Sequence, residues 1–509
     1  MSNFVPIFFR IGTMKIVIIG GGIAGLAAGI YAQKNGFESE IHEQHTIVGG
    51  QCTGWKRQGF LLDNCVHWLT GTNPEKDIYK VWQDVGVLGD DIEIIQHESF
   101  MRVELDGTAI ELWHDLDRLR ADLLALSPDD KDETEHFIKV VDAYRAVMMP
   151  ALKPLEQNNL CDWFRLIKGM RRLGRIHRKY SKMSIDSYAA RFKHPLIRKF
   201  ITTYMPKSYN VSSLFYVFGT FVSGNGALPR GGSFGMVEHM RAKYESLGGK
   251  IFTNHEAIKI DIALNRARSV LFKNGDTATG DYFICACDTN ITFSRLIGKG
   301  LMDKFFVRHY HRRKDHPLYS SINCFFGIDG ANGMPSTTVT FDCEPYMVNG
   351  TAQTGILVKN FDYEPSFAPE GKSLLQTLLV QYEEDFDYWQ QLYESDRAAY
   401  KAEKMRIAND IKVRLERRFP EMASKITILD VVTPMTYYRF CGAHKGAYMS
   451  FILTPSAAKQ TSRGTFPHIR NLYLAGQWLQ PPGGLPNAVV TGRFAIQRIC
   501  KRAHIKFKS

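Results

Sequence analysis

Gly20, Gly22 and Gly25 stand in the order G-x-G-x-x-G, a spacing that lets a backbone wrap an anion. The first glycine makes a tight turn, the second lets the main chain approach a pyrophosphate, and the third lets a helix pack on a strand. Ile23 and Ala24 fall in the first turn of that helix. Its free N–H groups and positive dipole end would face the anion, so the diphosphate needs no arginine there. Glu43, 23 residues after Gly20, stands where a carboxylate accepts hydrogen bonds from an adenosine ribose and repels a 2′-phosphate. A dinucleotide is the ligand this set describes.

The elements that must hold these residues are legible around them. Ile16 to Ile19 is a continuous apolar run, as a strand buried on both faces of a parallel sheet requires. Asn35-Gly36 ends the helix, and Phe37 to His42 reads as the second strand. Val48-Gly49-Gly50-Gln51-Cys52-Thr53 follows it. Near the other end, Asn471 to Ala475 is a short apolar strand leading into Gly476-Gln477-Trp478. Pro481-Pro482-Gly483-Gly484 then turns into a helix that starts at Leu485-Pro486-Asn487-Ala488. The first unit alone does not separate FAD from NAD.

With these segments the chain resembles the flavin-dependent phytoene desaturase and retinol saturase group, within the wider amine-oxidase-like flavoproteins. Pro229-Arg230-Gly231-Gly232-Ser233, Thr433-Pro434, Gly442 and Gly446 extend the resemblance over nearly the whole length. It implies an α/β fold: a glutathione-reductase-type, FAD-binding Rossmann-like domain with a discontinuous α+β substrate domain. It implies FAD as cofactor, with Gly49, Gly50, Gln51 and Thr53 continuing the diphosphate contact. Gly476, Gln477, Leu485, Pro486 and Ala488 would lie along the flavin, the helix start aimed at its N1/C2-carbonyl edge. Many relatives carry Asp where this chain has Gln477, which hydrogen-bonds but brings no charge.

The resemblance further implies a long polyene or isoprenoid lipid as substrate and a reaction that adds or removes hydrogen across a carbon–carbon bond. His67, Tyr437 and Tyr448 are the acid–base candidates, because their segments approach the flavin in relatives. Electrons are left free to pass through NAD(P)H, a quinone or oxygen. No second G-x-G-x-x-G follows a strand, so any nicotinamide would bind transiently beside the flavin. A flavin amine oxidase is the rival enzyme class, and a non-catalytic flavoprotein or lipid-binding module stands behind it.

At 509 residues the chain exceeds one usual core. The expected division is a cofactor domain from 14–99, 225–299 and 433–509, and a substrate domain from 100–224 and 300–432. In the latter, Met101 to Leu112 alternates as paired strands round Asp106-Gly107, and helical stretches follow from Asp115. Tyr319 to Ile328, Thr337 to Phe341 and Gly355 to Val358 read as strands, and Ser395 to Phe419 as a charged helix.

The nine cysteines show no paired metal-ligand spacing, so no metal is assigned and reduced thiols in the cytoplasm are expected. Thirteen Lys/Arg against the single acid Asp186 lie from Arg165 to Lys207. That segment alone carries the chain's +12, since the remainder balances at 51 against 51. Leu166, Ile167, Met170, Leu173 and Ile176 recur among the cations at helical spacing, the pattern of a helix on an anionic membrane surface or, as the plainer alternative, of a solvated cationic helix. No nucleic-acid motif accompanies it. No apolar run reaches the roughly 18 residues of a spanning helix, and Met1 to Thr13 lacks a signal-peptide pattern.

Overall fold

The computed structural model describes residues 13–457 and 461–509; residues 1–12 of the leader lie outside them. The first strand, Lys15–Ile19, takes the centre of a five-stranded parallel sheet. Glu38–His42 and Tyr282–Cys285 flank it, with Lys250–Phe252 and Leu472–Leu474 at the edges. Alternate residues of a strand point to opposite faces, and here both faces are dry. Ile16 and Ile18 pack towards the helices Ile23–Lys34, Gly232–Ser246 and Leu485–Arg502. Val17 and Ile19 pack towards a small antiparallel sheet of Ala257–Ala263, Arg266–Phe272 and Thr277–Thr279. Hence the unbroken apolar run.

A second, seven-stranded sheet forms the other layer. Its order is Ile426–Val432, Tyr319–Asp329, Lys372–Tyr382, Thr351–Asn360, Thr338–Val348, Ser99–Leu105 and Thr108–Trp113. The last two are the hairpin expected at Asp106-Gly107, both of which turn at positive φ. Helices Glu383–Ser395 and Arg397–Arg418 cover one face through Trp389, Tyr400, Ile407 and Leu415. The chain thus crosses between the two sheets repeatedly, the discontinuous α/β arrangement that the resemblance implies.

Strand Lys372–Tyr382 and helix Glu383–Ser395 escaped the sequence reading. Leu374-Leu375 and Leu378-Leu379-Val380 break a period of two, because the strand sits inside the sheet and is paired along eleven residues with Tyr319–Asp329. The helix after Pro229 begins at Gly232.

An α-helical cluster completes the substrate side: Leu116–Leu126, Lys131–Tyr144, Leu160–Tyr180, Ile185–Ala189, Pro195–Thr203 and Val211–Val222. Asp115 caps the first helix, accepting from the amides of Asp117 and Arg118. Here the reading of the basic segment needs correction. It is three helices and not one, and its stripe divides: Met170, Leu173 and Ile176 pack against the core, Leu173 being 3% exposed, whereas Ile167 faces out. The outward stripe is Leu160, Trp163, Phe164 and Ile167, with Leu160 88%, Phe164 70% and Ile167 63% exposed. The helix therefore has two apolar faces with cations between them. Among the described residues, no helix is long and apolar enough to cross a membrane.

Candidate functional site

At the carboxyl ends of the parallel strands the chain folds into a cradle of main-chain turns. Gly20 turns at φ 105°, and its amide donates to His42 O at 2.8 Å. A Cβ on Gly25 would lie 2.0 Å from Gly20 O, so only glycine lets the helix sit this close to the strand. Gly25 stays out of the cavity, its role confined to packing. Gly49 turns at φ 116°, and its amide donates to Gly21 O at 2.8 Å. That bond brings the Gly49-Gly50 loop against the first turn.

Glu43 is buried at the rim. One carboxylate oxygen accepts from Gly21 N at 2.7 Å and the other from His45 N at 2.8 Å. Burial pushes its carboxyl up, and the amides of His45, Gly21 and Gln44 pull it back down. Each oxygen keeps a lone pair for a further donor.

Opposite, the Leu485–Arg502 helix is set by the turn before it. Gly483 and Gly484 have φ 92° and 87°. Gln477 Oε1 accepts from Gly484 N at 2.9 Å, while its Nε2 donates to Gln51 Oε1 at 3.3 Å and Tyr448 O at 3.4 Å. Gln477 thus ties the helix start to the Gly49–Thr53 loop. Thr491 Oγ1 accepts from Gly476 N at 2.9 Å, holding the preceding turn to the same helix.

These pieces enclose a cavity of about 1810 Å³, where ordinary ligand pockets hold roughly 300–1,000 Å³. Gly20, Gly22, Ile23, Ala24, Glu43, Gly49, Gly50, Gln51, Thr53, Gly476, Gln477, Leu485, Pro486 and Ala488 all border it, as do His67, Tyr437 and Tyr448. A Cβ on Gly22 would meet only Gly49 O at 3.8 Å and Gly50 Cα at 3.9 Å, and one on Gly476 would meet nothing within 4 Å. Side chains there would project into the space a dinucleotide needs. The residues present fit the cofactor.

The family model for flavin-containing amine oxidoreductases matches residues 23–500. The chain belongs to that family. It is similar to a 4,4′-diapophytoene desaturase (4,4′-diapolycopene-forming) of Methylomonas sp, 22% identical with 97% of each chain covered. An all-trans-retinol 13,14-reductase of Danio rerio is 22% identical, over 95% of this chain and 86% of that one. An oxidoreductase from Methanosarcina mazei shares the fold with a TM-score of 0.59 and 16% identity, covering 95% of this chain and 100% of that one. As a member of the family the protein is an FAD-dependent oxidoreductase.

Facing the cradle, the family member carries a polar cluster that sequence reading did not assemble. Tyr437 Oη accepts from Asn323 Nδ2 at 3.0 Å and from Asn64 Nδ2 at 3.1 Å, and shares a 3.0 Å bond with Ser321 Oγ. Asn323 also donates to Asn64 Oδ1 at 2.7 Å. Asn64, the strand Tyr319–Asp329 that carries both Ser321 and Asn323, and the helix of Tyr437 are far apart in the chain, which is why no spacing betrays the cluster.

Burial pushes the Tyr437 hydroxyl up to about 12, and burial also raises that of Tyr448, packed against Tyr319. Both hydroxyls stay protonated at neutral pH. His67 moves the other way, to about 3, because it is cut off from bulk water and sits near the charge of Lys359. What surface it retains faces the cavity, where it stays a neutral imidazole. Tyr437→Phe should take an acceptor from the amides of Asn64 and Asn323, of which Asn323 keeps Asn64 Oδ1, and cost about 1–3 kcal/mol. A lowered Tm with the flavin band intact would be the expected result, and an unchanged Tm would contradict it.

Lys359 is the other residue missed. It is 2% exposed, borders the cavity, and donates to Val66 O at 3.3 Å. Its signal was slight: the lysine directly follows the apolar run Gly355-Ile356-Leu357-Val358 on one strand.

Proposed function

We propose that the protein adds or removes hydrogen across a carbon–carbon bond of a polyene or other isoprenoid lipid. The observation that supports this best is the continuity of the cavity. From the glycine cradle it runs on between Trp68, Phe100, Tyr204, Phe221 and Leu228, an aromatic and aliphatic stretch that suits an apolar chain. Flavin, when bound, supplies the two-electron exchange. The chain holds the substrate carbon against it, excludes water with the chamber wall, and keeps Tyr437 Oη, Ser321 and Asn323 as fixed polar groups on the facing side.

The retinol reductase and diapophytoene desaturase named above favour this reading over an amine oxidase. So does the wall itself, since an alkylammonium would meet the cation of Lys359 there. NAD(P)H is assigned a transient site beside the flavin, and the domain boundaries 14–99, 100–224, 225–299, 300–432 and 433–509 follow the same reading. Incubating the holoprotein with all-trans retinol and with linear carotenes, then weighing the products, tests the reaction. A product differing by two hydrogens is expected; turnover of amines alone would overturn the reading.

The Leu160–Tyr180 helix is proposed as a peripheral contact with an anionic membrane. Its exposed Leu160, Phe164 and Ile167 lie beside exposed Arg165, Lys168, Arg171, Arg175, Arg178 and Lys179. Its inner face, through Met170, Leu173 and His177, borders the cavity. A lipid would pass from the bilayer along one helix. Reversing Arg171, Arg175, Arg178 and Lys179 to Glu removes about 1 kcal/mol per cation and adds repulsion. Sedimentation with anionic liposomes should fall at least about a hundredfold in affinity while the flavin stays bound. Unchanged sedimentation would contradict the membrane contact.

A further inference from the structure

Where the chamber meets the segment Cys65 to Trp68, its wall is not apolar. Lys359 comes to it from the strand Thr351–Asn360, almost wholly buried. Among the described residues no carboxylate lies within 4.0 Å of its ammonium, and the 3.3 Å bond to Val66 O uses one of three N–H groups. Phe361 and Tyr363 offer only their ring faces, at 4.9 and 5.4 Å. The nearest acid, Asp63, is already saturated: it accepts from the amides of Cys65, Val66 and Ser233 and from Ser233 Oγ.

Two further groups on the same lining lack partners. Trp68 Nε1 is buried with no acceptor, and so is His97 Nε2, whose ring stands 4.8 Å from that of Tyr363. Buried polar groups are nearly always bonded, and a buried cation is retained at a cost unless something pairs with it. On the cavity lining a cation keeps N–H groups beyond its one bond to Val66 O, an indole N–H has no acceptor, and His97 Nε2 in one tautomer adds a third donor. An acceptor-rich anion is what completes such a set.

We propose that Lys359, with Trp68 and His97, anchors a carboxylate carried on the substrate's apolar chain. The inference rests on reading the cavity as the site of a long apolar substrate, and narrows that class to isoprenoid or polyene acids over hydrocarbons. It also orients the substrate, since one end is fixed at the Cys65–Trp68 wall and the chain must extend along the chamber from there. The charged and titratable groups facing Lys359 are Asp63, His67, His97 and Tyr363. Burial lowers the ammonium to about 8, Asp63 pulling it back up, and lowers His97 to about 4. At neutral pH Lys359 carries its positive charge beside neutral rings, and the facing carboxyl of Asp63 is taken up by its own four hydrogen bonds.

The probe is parinaric acid, a fluorescent conjugated tetraene acid, with its methyl ester as the uncharged match, titrated into the FAD-loaded full chain. The wild type should bind the acid at least about tenfold more tightly than the ester, the scale of one charge-assisted hydrogen-bonded pair. Lys359→Met should erase that preference and leave ester affinity and the flavin band unchanged; Lys359→Arg should retain it. Raising the pH from about 7 to about 9.5 should weaken acid binding only where Lys359 is present, because the ammonium loses its proton while the carboxylate is already ionised. Equal affinity for acid and ester in the wild type, or an acid preference that survives Lys359→Met, would overturn the anchor. Ester binding in the first of those results would leave the apolar-substrate reading standing, whereas binding of neither probe would overturn both.

Discussion

Gly22→Asp is expected to give a folded but colourless protein. The added Cβ has ordinary contacts, 3.8 and 3.9 Å from the Gly49-Gly50 loop, and the φ of Gly22, −72°, suits any residue. The carboxylate, however, would stand at the start of the Ile23–Lys34 helix, in the place the diphosphate takes. Two anions cannot share that helix end, and flavin affinity should fall below what purification retains. A near-wild-type Tm in the presence of excess ADP is not the relevant comparison; the apo forms of both proteins should melt together, while only the wild type gains stability from FAD. A yellow, fully loaded Gly22→Asp protein would refute the assignment of the cradle.

Gly492→Val is expected to act on the fold first and on the flavin second. A Cβ there would lie 2.4 Å from Ala24 O and 3.1 Å from Ala27 Cβ, so the Leu485–Arg502 helix would have to leave the Ile23–Lys34 helix. Overpacking of this kind costs about 3 kcal/mol or more. Both helices present their first turns to the cavity, and separating them misaligns the two ends of the cofactor site at once. The expected outcome is a Tm lower by several degrees with incomplete flavin content. Gly174→Ala, where an added Cβ meets nothing within 4 Å, should leave the Tm unchanged or raise it, because alanine favours a helix. Equal Tm values for wild type and Gly492→Val would show that the two helices are not held by this contact.

The parts that sequence made legible are those built locally. Ile16 to Glu43 carries strand, turn, helix, strand and carboxylate within one stretch, each with its own chemical signature, and the structure returns them in place. The Gly476–Ala488 segment was legible for the same reason, since its glycines and prolines dictate the backbone. What stayed hidden is non-local. Asn64, Ser321, Asn323 and Tyr437 meet only because a loop, a strand and a helix from distant parts of the chain come together. The strand Lys372–Tyr382 is apolar without alternation because neighbours cover both its faces. The Leu160–Tyr180 helix misled for a physical reason, its two apolar stripes: periodicity detects a stripe and does not say which side meets the core.

The measurement that tests the central claim most directly is an anaerobic visible spectrum of the purified protein, followed during addition of NADPH or NADH and then of a polyene lipid. The account predicts an oxidised-flavin band that a polyene changes: either it bleaches when a desaturable polyene is added directly, or it bleaches with nicotinamide and returns when a reducible polyene follows. A protein with no flavin band, or one whose band responds to amines and to no polyene under either sequence of addition, would contradict it.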